Sequence, residues 1–450
     1  MIYTIRPLSI HKMALSFYGS SAIITMIRPR SNLTFPSSPL ESGTLLGFID
    51  SSLSLMVTRQ ILLGVTGSVA AYKAAELVRL LTHANYEVNV VMSEAATHFI
   101  SPRVFQALSA NPVYTSPWDE RPSNAMAHIE LSRRADVFLI APATSQCLFK
   151  IAHGVCDDLI SMLAAARTCP LILAPAMNRQ MWENPPNQRH IRQLIHDNVT
   201  LWGPASGIQA CGENGLGRMV EPEEMVERLS GFFAPKPLAG KKVLMTAGPT
   251  FEPIDAVRGI TNLSSGKMGY ALARACRDAG ASVILVSGPT GLPCPIDTTR
   301  IDVLTAHEMH TAVFNAVDTV DIFIAVAAVA DYRVTNPSEH KLKRTDPIPT
   351  IGLAPNPDIL AAVSHLPKPP FCVGFAAESQ HLIEFAESKR IRKRLPMLVA
   401  NLISDALGTD TNHVTILDKA GTHPLAHLSK DDTARAIVHH MAALLSERTP

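Results

Sequence analysis

ILLGVTGSVAAYKAAELVRLL, residues 61–81, decides the fold class. It opens on a short apolar run, ILLGV at 61–65, turns through small residues, and continues as AAYKAAELVRLL at 70–81 with apolar positions at helical spacing. A buried strand feeding an amphipathic helix is half of a βαβ unit. The pattern then repeats. VNVVM at 88–92, VFLIA at 137–141 and LILA at 171–174 are further apolar runs with amphipathic stretches between them. Strands alternating with helices imply a parallel sheet covered on both faces. FFAPKPLAGKK at 232–242 breaks the rhythm with two prolines and a glycine, and VLMTAG starts a new strand at Val243. VILVS at 283–287, IFIAV at 322–326, CVGFA at 372–376 and MLVA at 397–400 continue the alternation, and DDTARAIVHHMAALLSER reads as an amphipathic terminal helix. The expectation is an α/β protein with two Rossmann-like parallel-sheet domains, residues 56–235 and 236–450.

Composition narrows the function classes. The 450 residues are 47% hydrophobic and 18% charged, which suits large buried cores. A formal charge of +1 gives no global attraction to nucleic acid or anionic membrane, so any basic site is local. Seven cysteines, an odd number with no CxxC pair, argue against a disulfide framework or a zinc site and for a reducing cytoplasm. No apolar run reaches the roughly 20 residues a bilayer span needs. Residues 1–55 are rich in Ser and Pro and carry no acid before Glu41. Their composition fits a transit peptide better than a signal peptide, but the reading preferred here takes Met56 as the true start and residues 1–55 as a disordered or non-native extension.

GVTGSVAAYK at 64–73 joins the first strand to the first helix. Gly64 and Gly67 permit a tight turn, Ser68 offers a hydroxyl, and backbone N–H groups at a helix N-terminus can meet a phosphate. The motif is not GxGxxG, and no acid follows at the spacing that would hold an adenosine ribose, so a mononucleotide is favoured over NAD. APATS at 141–145 and PAMNRQMW at 175–182 follow later strands, at the edge where open α/β sheets bind ligands. SGIQACGENGLGRM at 206–219 is Gly-rich and is expected to be a mobile loop that closes over a site.

PAMNRQMW matches the PxMNxxMW motif of the flavin-containing cysteine decarboxylases, AHIEL at 127–131 matches the segment carrying that family's active-site histidine, and QACG at 209–212 matches its phosphopantothenoylcysteine decarboxylases. The family's PASANT motif reads PATSQC here, at 142–147. The resemblance implies a flavodoxin-like flavin domain first, with FMN as electron sink for losing CO2 from a cysteine carboxyl group. It assigns FMN contacts to Gly67, Ser68, Ser93, Ala143 and Thr144. It implies that His128 assists thiol oxidation and decarboxylation, that Asn178 hydrogen-bonds the substrate carboxylate, and that Cys211 protonates the ene-thiol.

The second half carries TAGPTFEPID at 246–255 and VRGITNLSSGKMG at 257–269. SSGKMG is no Walker A loop: Thr261 stands where a Gly is needed and Met268 where a Mg²⁺-binding hydroxyl is needed. With AAVADYR at 327–333, NPDI at 356–359 and GFAAES at 374–379, these segments resemble the phosphopantothenate–cysteine ligase domain, up to an ANL ending in Leu402 where the family has AND. The resemblance implies activation of a carboxylate by CTP with Mg²⁺, through an acyl-cytidylate, on metal ligands it leaves unassigned. It places Ala327, Ala328, Asp331, Lys341, Asn356, Pro357, Asp358, Ile359, Phe375, Lys389 and Lys393 at CTP, and Arg258 and Asn262 at the substrate or intermediate. KRIRKR at 389–394 puts Lys389 and Lys393 on one helical face, and HKLKR at 340–344 reads as a mobile cationic lid.

The whole chain thus resembles the bifunctional phosphopantothenoylcysteine decarboxylase/phosphopantothenate–cysteine ligase family of coenzyme A biosynthesis. The implied partners are 4′-phosphopantothenate, L-cysteine, CTP and 4′-phosphopantothenoylcysteine, with no nucleic acid and no membrane, in a cytoplasmic homo-oligomer that the resemblance makes a dodecamer. Two rivals remain. A peptidyl-cysteine decarboxylase leaves the second half without a purpose, and a regulatory flavoprotein does not need Cys211 or a ligase domain.

Overall fold

A computed structural model describes residues 58–119, 121, 126–343, 350–378, 380–402 and 409–447. The 1–55 extension lies outside them. The first sheet has strands β1 (Gln60–Val65), β2 (Glu87–Met92), β3 (Val137–Ala143), β4 (Leu171–Pro175) and β5 (Thr200–Leu201), all parallel, in the order β2-β1-β3-β4-β5. That is the flavodoxin-like winding, with its reversal between β1 and β3. Alternation along β1 divides its side chains. Ile61, Leu63 and Val65 face a core with Leu77, Val78 and Leu81 of the helix Ala71–His83, while Leu62 joins Phe138, Ile140 and Leu163 on the other face. Gly64 keeps β1 and β3 close, because a Cβ there would press on Phe138 and Ile140.

The segment read as a mobile Gly-rich loop is instead a two-stranded antiparallel hairpin, β6 (Ala205–Ile208) and β7 (Asn214–Arg218). Gly207 and Gly215 lie against the Arg218 and Arg179 side chains and Gly217 against backbone, while Gly212 in the turn has open space around it. Gly217 has φ +142°, Met177 N–H donates to its carbonyl at 2.9 Å, and a Cβ would overlap the Met177 carbonyl oxygen.

The second sheet contains β8 (Lys242–Ala247), β11 (Ser282–Ser287), β12 (Thr298–Asp302), β13 (Ile322–Ala325), β16 (Phe371–Glu378), β17 (Met397–Leu402), β19 (Val414–Asp418) and β20 (Gly421–Pro424). The short pairs β9 (Phe251–Pro253) with β10 (Gly259–Thr261) and β14 (Tyr332–Val334) with β15 (Leu353–Pro355) sit in its loops, and β18 (Thr411–Asn412) precedes β19. The order β12-β11-β8-β13-β16-β17 is parallel and reverses between β8 and β13, which is Rossmann winding. β19 and β20 then extend the sheet antiparallel, so this domain is not parallel throughout.

Each sheet has its own cores. Val243, Met245, Val399 and Ile416 pack under Tyr270 and Cys276 of the helix Lys267–Asp278 and under Ile437 and Met441 of the terminal helix Lys430–Ser446. On the opposite face Leu244, Phe323 and Leu398 meet Met309, Val363 and Ala386. The contacts that cross between the two halves include ion pairs, Arg277–Glu227 at 2.5 Å and Arg228–Asp297 at 2.7 Å. Among the described residues, no helix is long and apolar enough to cross a membrane.

The backbone of Gly217 generates a direct test. Gly217→Ala should cost about 1–3 kcal/mol in urea unfolding, from a conformation L-residues avoid plus the Met177 clash. Gly291→Ala, where a Cβ meets nothing within 4 Å, should be close to neutral. Equal stability for the two variants would mean that the hairpin is not held as described.

Candidate active sites

The β1–helix turn separates two cavities. One, of about 480 Å³, is lined by Ser68, Lys73, Met177, Asn178, the hairpin residues Ile208–Cys211 and Gly217–Met219. The other, of about 350 Å³, is lined by Thr66, Gly67, Ser93, Thr144, Gln146, Lys150, Asp157 and Asp158. Both lie at the winding reversal. The structure therefore brings Asn178 and Cys211 together, and Gly67, Ser93 and Thr144 together, with Ser68 on the side of Cys211.

In the first cavity, local structure dictates how Asn178 points. Its Oδ1 caps the helix Arg179–Glu183, accepting from Gln180 N–H at 2.8 Å and Met181 N–H at 3.2 Å. Its Nδ2 must then face the cavity, where it donates to Glu213 Oε2 at 2.6 Å and lies 3.7 Å from Cys211 Sγ. A carboxylate thus already occupies this donor. Gln180 Nε2 holds the other Glu213 oxygen at 2.9 Å. Gln209 bridges helix and hairpin, accepting from Arg179 N–H at 3.0 Å and donating to the Leu216 carbonyl at 3.0 Å. Lys73, almost buried, donates to both oxygens of Glu221 and fastens the first helix to the segment after the hairpin. The Cys211 thiol is exposed.

The second cavity is rimmed by polar groups. Thr144 caps the helix Ser145–His153 and Ser93 caps Glu94–Thr97, so hydroxyls and N-terminal amides line its rim. Thr66 Oγ1 is 3.3 Å from Thr144 Oγ1 and accepts from Thr144 N–H at 3.1 Å, locking the two strand ends together. Ala143 is buried at the end of β3. Lys150 lies 2.6 Å from both Asp157 and Asp158. Burial alone would lower the lysine's pKa, but these two hydrogen bonds outweigh it and raise it. This wall therefore presents paired polar edges rather than a free cation. His128 sits on the helix Ala127–Arg134, lines neither cavity, and has a buried Nδ1 without a hydrogen-bond partner.

At the second reversal the loops after β8 and β13 are stitched together. Ala328 N–H donates to the Gly248 carbonyl at 2.9 Å, Thr250 N–H to the Ala328 carbonyl at 3.2 Å, and Ala327 N–H to Thr246 Oγ1 at 3.3 Å. Asn262 Nδ2 reaches the Ala328 carbonyl at 2.9 Å. Asn356 N–H donates to the Asp331 carbonyl at 2.8 Å and its Nδ2 to the Ala330 carbonyl at 2.9 Å, leaving its Oδ1 buried without a partner. Pro357 leads to Asp358, which caps the helix Ile359–Ser364 and pairs with Lys393 at 2.6 Å. Burial would raise the Asp358 pKa, but Lys393 and the Ala361 amide outweigh it and hold it below the usual range. Lys389 donates to the Phe375 carbonyl at 3.3 Å, and burial, with nearby Lys393 adding, pushes its ammonium below the ordinary lysine value. The nucleotide-assigned residues thus gather around one sheet edge.

The residue that the sequence did not reveal is Asp255. Its carboxylate is occluded by its own partners: Val257 and Arg258 N–H at 2.8 Å, the Arg258 guanidinium, and Leu342 N–H at 3.1 Å. Arg258 Nη2 also donates to the Leu342 carbonyl at 2.9 Å. Asp255 and Arg258 therefore grip both backbone groups of Leu342, so the described part of the segment expected to be a mobile lid, residues 340–343, is tethered; Arg344 lies outside the described residues. Lys341 itself is exposed and has no ion pair among the described residues. The hint was the EPIDAVR spacing, which puts Asp255 three residues before Arg258.

The family model named Flavoprotein matches residues 50–234, and that of the DNA/pantothenate metabolism flavoprotein C-terminal domain matches residues 238–445. The coenzyme A biosynthesis bifunctional protein CoaBC of Vibrio cholerae is 48% identical over 387 residues, covering 85% of this chain and 97% of that one. The chain belongs to the CoaBC family. The CoaBC protein of Escherichia coli K12 is 45% identical over 77% of this chain and 86% of its own, and that of Bacillus subtilis 41% over 87% and 98%. A crystal structure of the C-terminal domain of CoaBC aligns at 40% identity over 47% of this chain and 99% of its own, with a TM-score of 0.42. Members of this family are bifunctional decarboxylases and synthetases, and the first half of the chain is a flavoprotein domain.

Arg258 holds the Asp255 carboxyl far below the usual carboxylate range, so the tether stays charged throughout neutral pH and weakens only as pH falls well below about 3.9. Asp255→Asn should speed hydrogen exchange of the Leu342 amide by about tenfold or more at pH 7. An unchanged rate would show that Asp255 does not hold the lid.

Proposed function

We propose that the two sites work in sequence. Residues 236–450 condense 4′-phosphopantothenate with L-cysteine, using CTP and Mg²⁺ through an acyl-cytidylate. Residues 56–235 decarboxylate the resulting 4′-phosphopantothenoylcysteine to 4′-phosphopantetheine with FMN. The observation that carries this reading is the occupied donor at Asn178: its amide, fixed by helix capping, already holds a carboxylate beside the Cys211 thiol.

FMN would be held by Gly67, Ser93, Ala143 and Thr144 on one side of the β1–helix turn, with Ser68 reaching it from the side of Cys211. Bound there, it supplies a sink and source of electrons for the substrate sulfur. The chain's own residues do the rest. Asn178 Nδ2 orients the substrate carboxylate, which takes the place of Glu213. Cys211 Sγ, on the hairpin and open to the cavity, donates the proton that completes the product. His128, absent from both linings, acts across the interface with a second copy, which favours a homo-oligomer; the dodecamer follows from the family resemblance. In the ligase site Lys341, Lys389 and Lys393 offset triphosphate charge. Burial and nearby Lys393 lower the Lys389 pKa, and a phosphate beside it would raise it again. Asp331, an exposed carboxylate with no side-chain partner among the described residues, suits Mg²⁺. Ala327 and Ala328 let the nucleotide approach the backbone, and Asn262 and Arg258 face the acyl group. A cytoplasmic setting fits an odd number of cysteines with no CxxC pair.

Cys211→Ser tests the assignment. Serine keeps the size but is a weaker acid by several pKa units, so protonation should stall. CO2 should still be released for about one turnover from supplied 4′-phosphopantothenoylcysteine, with the flavin absorbance staying bleached and 4′-phosphopantetheine yield falling by about 10²-fold or more. Full conversion to 4′-phosphopantetheine would remove Cys211 from its role.

A further inference from the structure

The second sheet carries a cluster that neither proposed reaction uses. Asp418 ends β19, His423 lies on β20, and His440 projects from the terminal helix Lys430–Ser446. Asp418 is buried, and its two oxygens have separate tasks. Oδ1 accepts from Ala420 N–H at 2.7 Å and Gly421 N–H at 3.2 Å, closing the β19–β20 turn. Oδ2 faces two imidazoles, His440 Nε2 at 2.8 Å and His423 Nε2 at 3.2 Å. The two rings lie 4.7 Å apart between centroids. Their donor atoms and the carboxylate oxygen all fall within 4.8 Å of one another, and this is the one such set of three among the described residues.

A simple ion pair leaves part of this arrangement unexplained. His440 Nε2 hydrogen-bonds Oδ2, whereas His423 Nε2, also buried, faces the same oxygen at 3.2 Å without the alignment of a good hydrogen bond. Buried polar atoms rarely stay unsatisfied. Two imidazole nitrogens and one carboxylate oxygen converging on one point form a donor set for a borderline divalent cation. In a tetrahedral zinc site with bonds near 2.0–2.1 Å, neighbouring ligand atoms lie about 3.3 Å apart. His423 Nε2, at 3.2 Å from Asp418 Oδ2, already has that spacing; His440 Nε2, at 2.8 Å, has to open by about half an ångström, and the two ring nitrogens, within 4.8 Å of each other, turn toward the ion.

We propose that Asp418, His423 and His440 bind a zinc-class divalent cation, with water as the fourth ligand. The site is structural. Leu417 pairs with Leu398, next to the start of β17, so the cluster lies at the amino edge of the parallel strands, opposite the edge carrying the nucleotide-assigned residues. The ion ties the antiparallel β19–β20 extension to the helix whose Ile437 and Met441 cover the sheet. Binding requires neutral imidazoles and a carboxylate, so any proton on the rings leaves to solvent as the ion enters.

The test uses the full chain, stripped with a chelator and then titrated with Zn²⁺ against a chromophoric competitor. One zinc per chain should be retained through gel filtration, with a chelator-reversible rise in Tm on the order of 5 °C at saturation. Mg²⁺ at the same concentration should give neither effect. Removing even a hydrogen-bond partner of a metal ligand costs about 10–100-fold in affinity, so removing a ligand outright in His440→Gln should weaken binding by at least about 100-fold. His423→Gln, on a partly exposed strand position where folding is least at risk, should do the same. Zinc retained equally by both variants would mean binding elsewhere, for instance at an exposed cysteine, and would overturn the proposal. So would an adventitious ion only, lost on gel filtration with no change in Tm.

Discussion

The reversal of winding direction in a parallel sheet is the constraint on which both sites depend. In the first sheet the chain leaves β1, adds β2 on one side, and returns to add β3 on the other. In the second it leaves β8, adds β11 and β12 on one side, and returns to β13. Loops after neighbouring strands diverge at such a point and leave a crevice. Thr66 and Thr144 meet across the first crevice and Gly248, Thr250 and Ala328 across the second. The backbone arrangement comes first, and the side chains that do chemistry are hung on its rim.

The two rims solve opposite electrostatic problems. Around Cys211 the ionised groups have partners before any substrate arrives: Glu221 pairs with Lys73, and the neutral amides of Asn178 and Gln180 hold Glu213. At the ligase rim the cations are left partly unsatisfied. Lys389 is partly buried at a cost to its charged form, and Lys341 stands exposed on a tethered segment. A chain with net charge +1 can thus attract a triphosphate locally without being a polycation.

Continuous apolar runs such as ILLGV and VFLIA made both parallel sheets legible, because a strand buried on both faces has no other reading once helices separate the runs. The segment carrying Asn178 was legible for a similar reason, since PAMNRQMW follows a strand end, whereas Cys211 was read only from the resemblance of QACG, in a segment expected to be a loop. Three features were not. The hairpin at 205–218 was hidden because its glycines read as mobility, although Gly217 is there so that two backbones can touch. The antiparallel β19–β20 edge was hidden because its strands are short and one bears Thr422 and His423. The EPIDAVR spacing hints at the Asp255–Arg258 pair but not at its grip on Leu342, 87 residues on, and the Asp418 cluster depends on how β19, β20 and the terminal helix pack. His128 was read from a motif, yet its placement outside both cavities follows only from the folded chain.

The central claim is that one chain makes a cysteinyl amide at one sheet edge and decarboxylates it at another. Its most direct measurement follows pyrophosphate, CO2 and 4′-phosphopantetheine together, with purified chain, FMN, Mg²⁺, 4′-phosphopantothenate, L-cysteine and CTP. The account predicts equal yields of all three, no product without CTP, and CTP-independent CO2 release when 4′-phosphopantothenoylcysteine is supplied instead. CO2 release from the supplied intermediate without any CTP-dependent pyrophosphate release would contradict it, because the second sheet would then have no ligase site.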